Sequence, residues 1–142
     1  MQQKSEPQLP RVLVIDDNKG ILFSLREALT LKGYDVVTSE TFESITAVEN
    51  IAPDLLYLDI SLVGQDGREI ARELKSDSRT QHIPIVILTA YPNAMDIAKE
   101  AGANDFLPKP FDLADLWKMT EKYCHQSPVI GNIDTLINVR IA

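Results

Sequence analysis

The sequence predicts an α/β fold in which a parallel β-sheet is covered by helices on both faces. Short aliphatic runs alternate along the chain with segments whose aliphatic residues recur at helical spacing. This alternation is typical of strand–helix units joined by right-handed crossovers. The aliphatic runs are apolar at almost every position, as expected for strands buried on both faces. A doubly covered parallel sheet follows from these two observations.

The first half of the chain is predicted to hold three strands and two helices. The strands are Arg11–Ile15, Asp35–Thr38 and Leu55–Leu58, and the helices are Ile21–Lys32 and Thr41–Ile51. The first strand is a run of β-branched and leucine side chains that stops at Asp16. Gly33 suits the position after the first helix, and Pro53 ends the second helix because proline does not continue one.

The second half is predicted to hold two strands and three helices. The strands are Ile85–Leu88 and Phe106–Leu107, and the helices are Gly67–Lys75, Asn93–Ala101 and Leu113–Cys124. Asp66 and Asp112 each precede a helix, where a carboxylate accepts the free N–H groups of the first turn. Pro84 opens the fourth strand and Gly102 closes the fourth helix.

Length and charge indicate one acidic domain. The 142 residues include 14 Lys plus Arg and 21 Asp plus Glu, a net charge of −7. No run of Lys and Arg reaches four residues, which disfavours a nucleic-acid binder, since phosphates require clustered cations. No apolar run approaches the ~18 residues of a membrane span, and the single cysteine, Cys124, fits a reducing compartment. We therefore expect a cytoplasmic protein without direct contact to nucleic acid or membrane.

Polar residues that follow the predicted strands should meet at one edge of the sheet. Asp16 and Asp17 follow the first strand, Asp59 the third, Thr89 the fourth, and Lys109 the fifth. In open parallel sheets, ligands bind at the carboxyl ends of the strands. Three carboxylates close together repel one another unless a hard divalent cation or shared protons offset them. The pattern predicts a site for Mg²⁺, although each aspartate alone could simply cap a loop or helix.

Four stretches in order resemble the receiver domains of two-component response regulators. They are Val12–Asp17, Leu58-Asp59 with Asp66-Gly67 behind it, Ile87–Ala90, and Gly102–Phe111. The resemblance covers roughly residues 11–125. It implies a flavodoxin-like, doubly wound sheet of five parallel strands in the order 2-1-3-4-5, with five helices.

The resemblance also implies the roles of the phosphoryl-handling residues. Asp59 matches the phospho-acceptor, which takes a phosphoryl group from a phosphohistidine to give an acyl phosphate. Lys109 matches the lysine that pairs with the phosphoryl oxygens, and Thr89 matches the switch hydroxyl. Phe106 matches the aromatic switch position on the fifth strand. No catalysis is expected beyond self-phosphorylation and autodephosphorylation.

The metal ligands and partners follow from the same resemblance. Asp16 and Asp17 match the acidic pair that holds Mg²⁺, together with Asp59 and the backbone carbonyl of Ser61. A sensor histidine kinase or a phosphotransfer protein is the expected donor, and a downstream protein the expected target. In the family, the face of the fourth helix, fifth strand and fifth helix forms dimers and contacts targets, so this face and the C-terminal extension are the candidate surfaces for a homodimer.

Two other functions are compatible with parts of this pattern. A phosphohydrolase of the haloacid-dehalogenase type also forms an aspartyl phosphate, but its nucleophile lies in an Asp-x-Asp pattern after the first strand, whereas Asp16 and Asp17 are adjacent. A phosphorylation-independent receiver-like module would keep the fold for interactions only. Tyr91, two residues after Thr89, is either a half-exposed loop aromatic or a residue that restricts water near the phosphoryl group.

The chain is expected to divide into a polar leader, residues 1–10, the receiver domain, residues 11–126, and an apolar extension, residues 127–142. The extension carries isoleucines that share one face as a helix, and Ile137, Val139 and Ile141 share one as a strand. Exposing such side chains forgoes ~1.5–3 kcal/mol each. We expect the extension to dock on its own domain or on a partner chain, most favourably on the fourth helix, fifth strand and fifth helix.

Overall fold

The structure is a computed structural model, and it describes residues 8–124 and 140–141. The strands in chain order are β1 Arg11–Ile15, β2 Asp35–Ser39, β3 Leu55–Asp59, β4 Ser61–Leu62, β5 Gln65–Asp66, β6 Ile85–Thr89, β7 Asp105–Pro108, β8 Phe111–Asp112 and β9 Arg140–Ile141. The helices are α1 Lys19–Leu31, α2 Ile45–Ile51, α3 Gly67–Ser76, α4 Ala94–Ala101 and α5 Leu113–Cys124. Among these described residues, no helix is long and apolar enough to cross a bilayer.

Five parallel strands form the central sheet in the order β2-β1-β3-β6-β7. This is the predicted order 2-1-3-4-5 once the two-residue strands are set aside, so the fold class is confirmed. β2 pairs with β1 on one side, and β3 pairs with β1 on the other. The carboxyl ends of β1 and β3 therefore lie side by side, which places Asp16 next to Asp59.

The hydrophobic core has two layers, one on each face of the sheet. Side chains alternate along β1, so that Val12 and Val14 pack towards α1 and α5 while Leu13 and Ile15 pack towards α2, α3 and α4. Because both faces are covered, the central strands β1, β3 and β6 are apolar at nearly every position between their ends. The sheet thus gives the loops at its carboxyl edge a rigid support.

Most helix ends follow the predicted chemistry. The Asp66 carboxylate accepts the N–H of Arg68 at 2.9 Å, and the Asp112 carboxylate accepts the N–H of Asp115 at 2.9 Å. Gly102 follows α4 with a φ of 75°, a left-handed conformation that glycine adopts without strain. These caps confirm the predicted starts of α3 and α5 and the end of α4.

The predicted start of the second helix is wrong by four residues. The sequence indicated Thr41, but α2 begins at Ile45, where the Ser44 hydroxyl accepts the N–H of Ala47 at 3.0 Å. The preceding loop is bonded to Gln65 and does not form a helical turn. The Phe42 N–H donates to the Gln65 side chain at 3.0 Å, and the Gln65 amide donates back to the Phe42 carbonyl at 2.8 Å. A contact between residues distant in sequence thus overrides the local pattern.

Two pairs of two-residue strands were not predicted. β4 and β5 form an antiparallel hairpin after Asp59, and β8 pairs antiparallel with β9. Strands of two residues are too short to show a period in the sequence. Of the extension, the structure describes only Arg140 and Ile141, and residues 127–139 lie outside the described residues. Arg140 and Ile141 lie on β8 and beside α1. Docking of the extension on the face of the fourth helix, fifth strand and fifth helix stays a prediction, because most of its residues lie outside the described part of the chain.

Candidate functional site

A cleft of about 320 Å³ opens at the carboxyl edge of the sheet. It is lined by Asp16, Asp17, Asn18, Ile21, Asp59, Ser61, Thr89, Ala90, Tyr91 and Lys109, and we refer to it as the acidic cleft. The structure therefore brings together six of the seven residues that the sequence selected. The seventh, Phe106, lies on β7 opposite Ile87 and packs against the core layer on the α2, α3 and α4 side.

Three carboxylates meet in the acidic cleft. One oxygen from each of Asp16, Asp17 and Asp59 lies within 4.8 Å of the others. Asp16 is 0 % exposed and Asp59 is 6 % exposed. Backbone N–H groups fix two of the side chains, because Asn18 donates to Asp16 at 2.9 Å and Val63 donates to Asp17 at 2.9 Å. The oxygen ligands and their spacing fit a hard divalent cation such as Mg²⁺.

Lys109 supplies the positive charge of the acidic cleft. Its Nζ lies 3.0 Å from Asp16 Oδ2 and 3.4 Å from Asp59 Oδ1, and its side chain is mostly buried. The Lys109 backbone N–H donates to the Thr89 carbonyl at 2.8 Å, which fixes the loop after β7 to the end of β6. A single ammonium between two buried carboxylates offsets only part of their repulsion.

The pKa of Asp59 is raised above its ordinary value. Burial is the largest cause and the neighbouring charge of Asp16 the second, while Lys109 and the backbone N–H of Ser61 lower it less. Because the pKa is higher in the folded than in the unfolded chain, ionisation of Asp59 costs stability. The neutral carboxyl of Asp59 is tolerated in the fold, so below the unfolded pKa the stability is fully retained. The free energy of unfolding then falls as the pH rises through the folded pKa and the carboxyl ionises.

We expect Asp59→Asn to melt at a higher temperature than the wild type at neutral pH without divalent metal, because the amide removes a buried, crowded charge. The gain should shrink as the pH falls through the raised pKa of Asp59, because the wild-type carboxyl then also becomes neutral. Asp77→Asn is the matched control, since its partner Arg79 lowers the pKa of Asp77 to about 2 and its loss should lower stability. A lower melting temperature in Asp59→Asn at neutral pH would contradict this electrostatic account.

Gly67 allows α3 to approach the backbone that carries Asp59. A Cβ atom at Gly67 would meet the Asp59 carbonyl oxygen and lie 2.8 Å from the Ile60 Cα. The Gly67 N–H also donates to the Ile60 carbonyl at 2.9 Å. From the sequence, Asp66 was predicted as a helix cap and Asp66-Gly67 was part of the resemblance to receiver domains, but this close contact was not predicted. A glycine directly after a helix-capping aspartate was the available signal.

Thr89 and Tyr91 form the wall of the acidic cleft on the β6 side. Thr89 is buried, and its hydroxyl oxygen accepts the Tyr91 N–H at 3.0 Å. Tyr91 is 53 % exposed, and the Ser61 hydroxyl donates to the Tyr91 hydroxyl oxygen at 3.4 Å. Tyr91 therefore bridges from the loop after β6 towards the loop after β3, at the mouth of the cleft.

Comparisons with known proteins agree on one family. The family model "Response regulator receiver domain" matches residues 12–121. Response regulator MprA of Mycobacterium sp. (strain KMS) is 37 % identical over 109 residues, which are 75 % of this chain and 46 % of the relative. The chain therefore spans about half the length of the curated relatives it matches.

Solved structures share the fold. The chemotaxis protein CheY4 of Vibrio cholerae has a TM-score of 0.74 at 25 % identity, over 82 % of this chain and 99 % of the other. A CheY-like receiver domain protein from Methanospirillum hungatei JF-1 has a TM-score of 0.75 at 26 % identity, over 83 % and 95 % of the two chains. The receiver domain of sensor histidine kinase PA1611 from Pseudomonas aeruginosa PAO1, solved with magnesium in its active site cleft, has a TM-score of 0.75 at 24 % identity, over 84 % and 100 %. With the family model matching most of the chain, this protein belongs to the receiver domain family of two-component response regulators.

Proposed function

We propose that Asp59 is the phospho-acceptor of this receiver domain and that phosphorylation switches its conformation. The observation that carries the proposal is the position of Lys109 Nζ, 3.0 Å from Asp16 and 3.4 Å from Asp59. This ammonium is placed to neutralise a phosphoryl group on Asp59. Phosphoryl transfer requires positioning and positive charge on the equatorial oxygens rather than covalent work by the protein.

In the proposed reaction, a carboxylate oxygen of Asp59 attacks the phosphorus of a phosphohistidine in line with the leaving nitrogen. The new O–P bond forms as the P–N bond breaks, and the electron pair returns to the imidazole nitrogen, which takes a proton from solvent. Receiver domains interact with histidine kinases and downstream effectors. For this chain, we propose a histidine kinase or phosphotransfer protein as donor and a protein target, within domain limits of residues 11–126.

The proposed switch depends on Thr89 and Phe106. The Thr89 hydroxyl, which accepts the Tyr91 N–H at 3.0 Å, is placed to donate to a phosphoryl oxygen on Asp59. Each charge-assisted hydrogen bond of this kind contributes ~1.5–3 kcal/mol. That is the order of free energy, ~1–3 kcal/mol, that shifts a two-state equilibrium. Movement of the Thr89 loop would then free space for Phe106 on the neighbouring strand β7.

We propose that Asp16, Asp17, Asp59 and the Ser61 carbonyl hold Mg²⁺ in the acidic cleft. The three carboxylates bring one oxygen each within 4.8 Å of the others. Bound there, the ion would supply charge neutralisation to the transferring phosphoryl group. The magnesium in the cleft of the PA1611 receiver domain supports this assignment.

Adding Mg²⁺ should raise the melting temperature of the wild type and leave that of Asp17→Asn unchanged, because Asp17 supplies one of the three carboxylates. At 100-fold excess over Kd, binding to the folded state alone adds about 2.7 kcal/mol of stability. Thermal melting with and without Mg²⁺ measures both gains, with Asp77→Asn as the control that keeps the response. Equal gains in wild type and Asp17→Asn would exclude this metal site.

Tyr91→Ala should shorten the half-life of the phosphorylated protein. The Tyr91 ring lies at the mouth of the acidic cleft and its hydroxyl is 3.4 Å from Ser61 Oγ, so it is placed to limit the in-line approach of water. The half-life is measured by intact mass after the phosphodonor is removed. Tyr91→Phe keeps the ring and loses the hydroxyl, so it separates the effect of the ring from that of the hydroxyl contact with Ser61. A half-life in Tyr91→Ala as long as that of the wild type would show that the ring does not shield the acyl phosphate.

The proposed function is tested by incubating the protein with a small phosphodonor, with and without Mg²⁺. We expect the intact mass to increase by one phosphoryl group, and only when Mg²⁺ is present. Turnover of a large excess of phosphoester would favour the phosphohydrolase alternative. No modification at all would favour a phosphorylation-independent interaction module.

A further inference from the structure

The strand β9 packs between α1 and β8, which lies in the loop that leads from β7 into α5. Ile141 pairs opposite Phe111 and Arg140 opposite Asp112 in an antiparallel register. The Ile141 side chain is 6 % exposed and belongs to the core layer formed by α1, α5 and the sheet. β9 also lies against α1. Ile141 is therefore part of the apolar core.

The residues that β9 packs on are close in sequence to two residues that line the acidic cleft. Phe111, the pairing partner of Ile141, follows Lys109 by two residues, and Lys109 supplies the cleft's ammonium. Ile21 lines the cleft from the first turn of α1 and packs in the same core layer as Ile141. A displacement of the chain at Lys109 or of the first turn of α1 would therefore change the surface on which β9 rests.

We propose that the docking of β9 is coupled to the phosphorylation of Asp59, and that docked β9 favours the unphosphorylated state. This inference rests on the proposed function. It assigns to β9 the role of a regulatory element built into the chain, acting through the segment Lys109–Phe111.

The direction of the coupling follows from what β9 contacts. In the structure, β9 is docked while Lys109 Nζ bridges the carboxylates of Asp16 and Asp59. A phosphoryl group on Asp59 would offer Lys109 new acceptor oxygens farther out in the cleft, and the coupling requires that Lys109–Phe111 moves with the ammonium. An element that packs only on the original arrangement stabilises that arrangement relative to the other. By reciprocity, phosphorylation must weaken the docking of β9 by the same factor that docking disfavours phosphorylation.

The test compares the wild type with Ile141→Asp, which places a charge in an apolar layer, and with the milder Ile141→Ala. Leu9→Ala is the control, because Leu9 is an exposed aliphatic residue outside both core layers. Each protein is treated with acetyl phosphate and Mg²⁺, and the phosphorylated fraction is followed by intact mass. We expect the steady-state ratio of phosphorylated to unmodified protein to rise about 5-fold or more in Ile141→Asp, less in Ile141→Ala, and not in Leu9→Ala.

Hydrogen exchange in the wild type gives a second measurement that requires no variant to fold. Phosphorylation should increase exchange of the backbone amides of Phe111 and Asp112, because the paired strand leaves. Equal phosphorylation of wild type and both Ile141 variants, or unchanged exchange at β8 on phosphorylation, would overturn the coupling while leaving Asp59 as the acceptor. Failure of all the proteins to accept a phosphoryl group would overturn the proposed function and this inference with it.

Discussion

Asp59→Ala should gain no phosphoryl group under conditions in which the wild type gains one. Asp59 ends the central strand β3, is 6 % exposed, and lies within 3.4 Å of the Lys109 ammonium. Alanine removes the nucleophilic oxygen and leaves the rest of the acidic cleft in place. The loss should be complete, because the neighbouring Asp16 is fully buried and already bound to Lys109 and the Asn18 N–H.

The control for this experiment is Asp77→Ala, which removes an aspartate outside the acidic cleft, paired with Arg79 at 2.8 Å. It should be modified as readily as the wild type. Intact mass after treatment with a small phosphodonor and Mg²⁺ reads all three proteins. A phosphoryl group that persists on Asp59→Ala would mean that another side chain is the acceptor.

Gly67→Ala should destabilise the fold and slow phosphorylation together. The added methyl group would meet the Asp59 carbonyl oxygen and lie 2.8 Å from the Ile60 Cα, so either α3 or the end of β3 must shift. Backbone atoms yield less readily than the end of a flexible side chain, and overpacking of this kind costs about 1–3 kcal/mol. Denaturant unfolding measures the loss of stability, and the rate of mass increase with phosphodonor measures the displacement of Asp59.

Gly102→Ala distinguishes a specific effect from a general loss of stability. Gly102 has a φ of 75° and no neighbouring atom within 4 Å of an added Cβ, so alanine there is strained without a steric clash. It should lower stability and leave the phosphorylation rate near that of the wild type. If Gly67→Ala and Gly102→Ala slow phosphorylation equally, the contact of Gly67 with Asp59 has no special role in positioning the acceptor.

The central sheet could be predicted from sequence because its strands are buried on both faces. In β1, the residues between Arg11 and Asp16 are all aliphatic, and in β3 those before Asp59 are leucines and a tyrosine. These runs leave little ambiguity about where each strand lies. Capping aspartates fixed the starts of α3 and α5 in the same way. The strand order depended on the resemblance to receiver domains, since local patterns do not encode which strands are neighbours.

The remaining features depend on contacts between residues far apart in sequence. The start of α2 at Ile45 follows from the bonds between Phe42 and Gln65, and the hairpin of β4 and β5 is too short to leave a pattern. In the acidic cleft, the carboxylates and Lys109 could be selected because each lies at or just after the end of a strand. The contacts of Val63 with Asp17 and of Gly67 with the Asp59 backbone could not, since they depend on the path of the loop after β3.

Chemical trapping of the acyl phosphate tests the assignment of the acceptor most directly. Hydride reduction converts an aspartyl phosphate into homoserine and leaves free aspartate unchanged, so peptide mass mapping of the reduced phosphoprotein identifies the modified residue. We predict homoserine at position 59, in protein treated with phosphodonor and Mg²⁺ and not in untreated protein. Homoserine at Asp16 or Asp17, with Asp59 unmodified, would contradict the account.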